Sequence, residues 1–153
     1  MIALERRPPD DPEVDALITA LSAHLWDAYP EDREEYASHN ALASDTTVVL
    51  ARLDGESVGC GAFRPLPWDP TAVEIKRMFV SAAARGHGVG AAVLAELDAL
   101  AEAAGFVVAR LETGVRQVEA MGLYEKAGYR RIPNYPPYED LPLSVCYEKP
   151  LVA

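Results

Sequence analysis

Apolar positions in the first part of the chain change their spacing from one segment to the next. Residues 1–6 alternate as a short strand does. From Pro12 onward, apolar residues recur every three or four positions, which predicts an amphipathic helix with the Asp10-Asp11 pair as its cap. Pro30 ends this helix, and an acidic opening predicts a second helix that runs to about Ala43.

The middle of the chain predicts a hairpin, a loop and one more strand. Residues 46–53 and 57–63 flank Asp54-Gly55, a dipeptide typical of tight hairpin turns. Residues 72–80 alternate little and end on an apolar run, which favours a central strand. The predicted loop between these strands is marked by three prolines, Pro65, Pro67 and Pro70.

Strands and helices alternate in the second half. An apolar helical face follows residue 89 and stops at Gly105, and residues 106–111 read as the next strand. Together with the strand before it, this segment predicts a parallel, right-handed βαβ unit. A helix over 115–127 and strands at 129–132 and 143–148 complete the predicted order β-α-α-β-β-β-α-β-α-β-β.

Composition narrows the class of protein. The 153 residues, half of them hydrophobic, suffice for one domain with an ordinary core, and we find no internal boundary. The formal net charge of −10 argues against non-specific binding to nucleic acid, which requires a basic surface. With no long apolar run and no signal-like start, we expect a cytoplasmic protein without membrane association.

Cysteine and histidine usage predicts no metal. Cys60 and Cys146 each lie in an apolar, strand-like segment, which favours buried free thiols over a disulfide or a metal pair. The three histidines have no ligand spacing with one another or with the cysteines.

The hexapeptide RGHGVG, at 85–90, is the strongest chemical signal. A glycine-rich turn that opens a helix offers free N–H groups and a positive dipole end, which suits a phosphate or diphosphate. A P-loop is excluded because no Gly-Lys-Ser or Gly-Lys-Thr follows. A dinucleotide-binding site is an alternative. Gly86, Gly88 and Ala91 match its G-x-G-x-x-A pattern, and Glu112 lies at the end of the next predicted strand. Half of the chain precedes the turn, however, which is unusual for such a domain.

Two motifs resemble a known family. Arg85, Gly88 and Gly90 form R-x-x-G-x-G directly after a strand that ends in Phe-Val, and residues 119–129 contain EA followed by LYEKAGY. At this spacing they are similar to motifs A and B of the GNAT family of N-acetyltransferases. Where many members carry Asn three residues before the motif B Ala, this chain has Gln117.

The resemblance covers most of the chain and implies a fold and an activity. The fold is α+β, with a mixed sheet of about seven strands and about four helices. The activity is transfer of an acetyl group from acetyl-CoA to a primary amine of a small molecule, such as an amino acid or polyamine, by direct attack in a ternary complex. Family members commonly form homodimers. A non-catalytic sensor of acyl-CoA is the alternative.

The same resemblance implies the cofactor contacts. Met78, Phe79 and Val80 would offer backbone groups to the pantetheine arm, provided that the neighbouring strands separate there. Gln117 would contact the cofactor through its amide. The diphosphate would be held by the backbone of the glycine turn and the charge of its arginine, that is by Arg85, Gly86, His87, Gly88, Val89 and Gly90.

Two residues are candidates for the proton transfers. Glu74 stands where the glutamate base of histone-type members stands, and strict alternation would put it on one face with Lys76, Met78 and Val80. An ion pair with Lys76 or an arginine is the alternative for Glu74. Tyr124 matches the motif B tyrosine that protonates the leaving thiolate, and a core aromatic is the alternative for it.

The acceptor side is predicted more coarsely. Tyr29, Tyr135 and Tyr138 would line a pocket for the acceptor, although the last two would equally suit a Pro-Tyr loop that covers a sheet edge. Arg77 would hold a substrate carboxylate or pair with Glu74 or Glu112. Acidic residues at 31–35 and 139–140 would attract a cationic amine or merely form a solvated surface.

Overall fold

A computed structural model describes residues 1–28 and 44–151 of the chain, apart from several side chains at the end of the first helix. The predicted second helix over 31–43 and Tyr29 lie outside the described residues. The strands are β1 (Ile2–Arg7), β2 (Thr47–Leu53), β3 (Glu56–Leu66), β4 (Asp69–Val80), β5 (Val108–Gly114), β6 (Arg130–Ile132) and β7 (Ser144–Pro150). The helices are α1 (Pro12–Ala28), α2 (Val89–Ala103) and α3 (Val118–Lys126), with a short 3-10 turn at Ala82–Ala84.

The seven strands form one mixed sheet in the order β1-β2-β3-β4-β5-β7-β6. All neighbours are antiparallel except β4 and β5, which are parallel and joined by α2. The predicted α+β fold, central β4 and parallel βαβ unit are therefore confirmed. None of the described helices is long and apolar enough to cross a membrane.

One predicted loop is wrong. The prolines between β3 and β4 belong to a second hairpin, in which β3 runs to Leu66 and β4 begins at Asp69. Pro65 is tolerated in β3 because the pairing with β2 ends at Phe63, so the missing N–H of Pro65 costs no hydrogen bond to β2. The first hairpin turns at Asp54-Gly55, as predicted.

Two layers cover the sheet. On one face, α2 and α3 pack over the main core, which includes Val93, Leu97 and Tyr147. On the other face, α1 covers a smaller cluster that includes Val14 and Leu50. The segment between β6 and β7 covers a third cluster on that same side. The two smaller clusters leave part of β4 and β5 between them, and this part carries the charged residues of the site.

Local contacts fix the helices that border the site. The carboxylate of Asp11 accepts the N–H groups of Glu13 at 2.9 Å and Val14 at 3.2 Å, which caps α1 as predicted. In α2, the buried Asp98 accepts the hydroxyl of Tyr129 at 2.6 Å and lies 2.9 Å from Nζ of Lys149. These bonds join α2 to the chain after α3 and to β7, so both helices are held against the same part of the sheet.

Candidate active site

A β-bulge at Arg77 changes the direction of the side chains along β4. The register between β3 and β4 shifts after Cys60, and Arg77 has the left-handed φ of +61°. This conformation costs a non-glycine residue about 1–2 kcal/mol. Before the bulge, Glu74 contacts the segment between β6 and β7 on one face of the sheet. After it, Met78 and Val80 pack with the α2 core on the opposite face.

The bulge therefore corrects one expectation. Glu74 and Lys76 share a face, and Nζ of Lys76 lies 3.6 Å from Oε1 of Glu74. The expectation that Met78 and Val80 share that face was wrong, because the extra residue resets the alternation of the strand.

Strands β4 and β5 separate beside the bulge. Their pairing ends with Ile75 opposite Leu111, whereas β4 continues to Val80 and β5 to Gly114. The last part of β4 thus has backbone groups that are not bonded to β5. A cleft of about 560 Å³ opens there, between the glycine turn and α3.

The cleft brings together nine of the ten predicted cofactor residues, that is Met78, Phe79, Val80, Arg85, Gly86, Gly88, Val89, Gly90 and Gln117. His87 is exposed and does not line it. Tyr124 lines the cleft as well. Sequence reasoning did not assign the further lining residues Ala84, Ala91, Arg116, Val118, Glu119, Ala120 and Leu123, although the helical position of α3 beside the turn could have indicated several of them.

The glycine turn is shaped to bind an anion. Gly86 and Gly88 have φ values of +86° and +80°, and no described atom lies within 4 Å of where a Cβ would stand on either residue. Within the described chain, no hydrogen bond uses the N–H of Gly86, Gly88 or Gly90 as donor. The Nε of Arg85 donates to the carbonyl of Val80 at 3.3 Å, which keeps its guanidinium beside the turn. Free N–H groups at a helix start and a nearby cation suit a diphosphate.

Tyr124 lies at the inner wall of the cleft. It is 6% exposed, and its ring packs near those of Tyr129 and Tyr147. Burial, reinforced by the charge of Glu112, raises the pKa of the Tyr124 hydroxyl above its usual value near 10. Its hydroxyl is therefore protonated at neutral pH, as a proton donor must be.

Glu74 is held by several groups on the opposite face, among them Tyr138, which hydrogen-bonds to its carboxylate. It is 1% exposed, and Oε2 accepts a 2.7 Å hydrogen bond from the hydroxyl of Tyr135. Nη2 of Arg64 lies 3.3 Å from Oε1, and Lys76 lies nearby as described above. The ion pairs that were the alternative for Glu74 are thus present. A role as proton acceptor stays a prediction, since hydrogen-bonded carboxylates can also accept protons.

Glu112, on β5, was named from the sequence only as part of a dinucleotide fingerprint or as a partner of Arg77, and not as a candidate for proton transfer. Its Oε2 accepts a 2.6 Å hydrogen bond from the hydroxyl of Ser144. Burial raises the pKa of Glu112 to about 7, with a further contribution from the charge of Glu74, against the opposing effects of Ser144 and Lys76. The position of Glu112 follows from the register of the two parallel strands, which sets Glu74 opposite Arg110 and which no local sequence pattern indicates.

The predicted acceptor residues are not all together. Tyr135 and Tyr138 are 5% and 3% exposed and pack edge to face with ring centres 5.4 Å apart, so little of either side chain is accessible. They cover the sheet as the alternative for them supposed, and a part in holding the acceptor stays a prediction. Arg77 is partly buried at the bulge, near Lys76 and Cys60. Among residues 1–28 and 44–151, no group of three His, Cys, Asp or Glu residues is arranged to hold a metal ion.

Comparison with known proteins agrees with this geometry. The sequence model of the acetyltransferase (GNAT) family matches residues 18–129. A protein named IAA acetyltransferase, from Azospirillum brasilense, is 36% identical over 151 residues, which are 98% of this chain and 98% of that protein. A solved structure described as an acyl-CoA N-acyltransferase, from Klebsiella pneumoniae subsp. pneumoniae, is 33% identical, covers 99% of both chains and has a TM-score of 0.83.

A more distant structure shares the fold. A GNAT family acetyltransferase from Elizabethkingia anophelis, solved with acetyl-CoA bound, has a TM-score of 0.70 at 19% identity and covers 97% of each chain. With the family model matching more than half of its length, the chain belongs to the GNAT family of acetyltransferases. It is an acyltransferase, and the dinucleotide-binding alternative is wrong.

Proposed function

We propose that the chain transfers an acetyl group from acetyl-CoA to a primary amine of a small molecule, by direct attack in a ternary complex. One observation carries the proposal: the cleft between the last residues of β4 and the start of α3 begins at a glycine turn with free N–H groups. It joins an anion site to a strand edge whose pairing with β5 has ended. This combination suits a long ligand with a diphosphate at one end and an amide-rich arm at the other.

Each segment that lines the cleft would bind a different part of acetyl-CoA. The backbone of the glycine turn, together with Arg85, holds the diphosphate, and the backbone of Met78, Phe79 and Val80 orients the pantetheine arm. Exposed Arg116 and Val118 lie at the α3 side of the cleft, where they add a cation and an apolar surface. The bound cosubstrate supplies an acetyl thioester, whose carbonyl carbon is open to attack by an amine.

Transfer needs two proton movements. As the C–N bond forms and the C–S bond breaks, the amine loses a proton and the sulfur gains one. Tyr124 donates to the sulfur, since its hydroxyl is protonated and lies on the cleft. Glu74 accepts the proton of the amine, either directly or through water.

Glu112 is the second candidate for proton acceptor. Its pKa of about 7 is close to the working pH, where general base catalysis is most effective. Glu74 is buried and accepts a hydrogen bond from Tyr135, whereas Glu112 accepts one from Ser144 and lies on the neighbouring strand β5. Substitution of each carboxylate in turn distinguishes which of them accepts the proton.

Calorimetric titration with acetyl-CoA, followed by thiol release over a panel of amines, amino acids, polyamines and peptides, tests the proposal. We expect binding with the cofactor alone and thiol release with at least one amine. Binding without release on any acceptor would favour the acyl-CoA sensor instead. Failure to bind acetyl-CoA would overturn both functions.

A further inference from the structure

Arg77 differs from the other partly buried arginines of the described chain because it has no carboxylate partner among the described residues. The other four each have a carboxylate within 3.3 Å, and they are Arg7, Arg52, Arg64 and Arg110. Arg77 forms no ion pair with a described residue, and its Nε is buried without a hydrogen-bond partner. The chain has 24 acidic and 14 basic residues, so carboxylates are abundant. A partly buried guanidinium without an ion pair is unfavourable, and the described residues do not provide the anion that would stabilise it.

The backbone at Arg77 is also unusual. A β-branched or long side chain rarely adopts a φ of +61°, and such strain concentrates at functional sites. The thiol of Cys60 donates to the carbonyl of Arg77 at 3.5 Å, which supports the bulge without engaging the guanidinium. The bulge therefore fixes the direction of this side chain while its charge stays uncompensated.

The position of Arg77 indicates what it faces. It directly precedes Met78, which lines the cleft, yet its electrostatic neighbours are Lys76 and Cys60. Cys60 belongs to the cluster beneath α1, on the face that also carries Glu74. Arg77 thus lies beside Cys60, on the carboxylate face of β4, and next in sequence to the cleft residue Met78.

We propose that Arg77 binds a carboxylate of the acetyl acceptor, so that the acceptor is an amine of the amino-acid class. The inference rests on the proposed acetyl transfer. A guanidinium binds a carboxylate through two parallel hydrogen bonds, and the guanidinium of Arg77 has no ion pair within the described residues to compete with them. Glu74 lies on the same face of β4 beside Lys76, where its carboxylate would favour the ammonium end of the same acceptor.

Matched acceptor pairs test the inference. Four amino acids are compared with the amines that lack only the carboxylate, namely L-phenylalanine with phenethylamine, L-tryptophan with tryptamine, L-leucine with isopentylamine and L-lysine with cadaverine. The native protein should use at least one amino acid with a kcat/KM at least ~10-fold above that of its decarboxylated partner. Equal or better use of the decarboxylated partner in every pair would overturn the inference.

Substitution of Arg77 assigns the preference to this residue. Arg77→Gln should lower kcat/KM for the preferred amino acid by ~10–100-fold and leave its decarboxylated partner nearly unchanged. Arg77→Lys should recover only part of the loss, because a lysine keeps the charge without the fork of donors. Arg6→Gln, at an exposed position of β1, is the matched control and should change neither value. An equal loss for both members of a pair would contradict the inference.

Product binding gives a readout that needs no turnover. In the presence of CoA, the N-acetylated form of a panel amino acid should bind the native protein by calorimetry and should bind Arg77→Gln at least ~10-fold more weakly. Acetyl-CoA should bind both proteins equally. Failure of every N-acetylated amino acid to bind the native protein would overturn the role of Arg77, whereas failure of acetyl-CoA to bind would overturn the proposed function itself.

Discussion

The hydroxyl of Tyr135 donates a 2.7 Å hydrogen bond to Oε2 of Glu74, across 61 positions of sequence. It ties the segment between β6 and β7 to a buried carboxylate at the centre of the sheet. Burial, together with the charge of Glu74, raises the pKa of Tyr135, so the hydroxyl remains a donor throughout the usual pH range. The bond thus fixes the position of the Glu74 carboxylate.

Removing this hydroxyl should affect the reaction without affecting the cofactor. Tyr135→Phe keeps the ring and should lower kcat by ~3–10-fold, while KM for acetyl-CoA stays constant. The free energy of unfolding should fall by about 1–2 kcal/mol, because a buried acceptor loses one donor. Steady-state kinetics and urea unfolding measure the two effects. An unchanged kcat with the expected loss of stability would make the bond purely structural.

The two candidate bases should respond differently to pH. Glu112→Gln should remove the rise of kcat/KM that is centred near pH 7 if Glu112 accepts the proton, since its pKa is about 7. Glu74→Gln should then lower kcat while that rise remains. If the rise persists in Glu112→Gln and activity is lost in Glu74→Gln, Glu74 is the base. Activity that is unchanged in both variants would contradict either assignment.

Glu112 should also make stability depend on pH. Folding raises its pKa from about 4.5 to about 7, so the folded state holds a proton that the unfolded state has released. The stability associated with this proton is complete below pH 4.5 and is lost as the pH rises through 7. The melting temperature of Glu112→Gln, relative to the native protein, should therefore rise between pH 5 and pH 8. Glu56→Gln, at an exposed position of β3, should show no such trend.

Tyr124 should matter for chemistry rather than for binding. Tyr124→Phe removes only the hydroxyl and should lower kcat by ~10–100-fold, with little change in KM for acetyl-CoA. Tyr147→Phe is the matched control, because that ring packs 6.3 Å from Tyr124 while its hydroxyl bonds to Glu125 outside the cleft lining. Equal activities of the two variants would place Tyr124 among the core aromatics.

The glycine turn should be essential for the cofactor and dispensable for the fold. Gly88→Val should weaken acetyl-CoA binding by at least ~100-fold, because the side chain would occupy the space in front of the free N–H groups. Gly55→Val is the matched control: Gly55 has a similar φ of +90° and equally open surroundings, but lies in the first hairpin. Calorimetry and circular dichroism should show that both variants fold and that only Gly55→Val binds. Equal weakening would indicate backbone strain alone.

The bonds around Asp98 should stabilise both helices that border the cleft. Asp98→Ala leaves Tyr129 and Lys149 without this acceptor and should lower the free energy of unfolding by about 2–4 kcal/mol. Tyr129→Phe, which removes one of the two bonds, should cost about 1 kcal/mol. Glu102→Ala, on the exposed side of α2, should change stability by less than about 0.5 kcal/mol. Chemical denaturation measures all three values, and similar values for all would contradict this role.

The sequence was most informative about features that depend on residues close together in the chain. Periodicity and turn residues predicted the order of elements, and the glycine turn with Tyr124 predicted most of the cleft. The bulge at Arg77 was not predictable, because no residue preference marks an arginine with a positive φ. The bond between Tyr135 and Glu74 joins residues far apart in the chain, and the role of Glu112 depends on how two parallel strands align, so neither follows from a local pattern.

The bulge makes the number of residues in β4 as important as their types. Glu74 points to one face and Met78 to the other because one extra residue stands between them. Regular pairing of the same residues without the bulge would turn Met78 away from α2 and set it on the face of Glu74, although every side chain would be unchanged. Grafting this strand between relatives therefore preserves the two sides of the site only if the bulge is transferred with it.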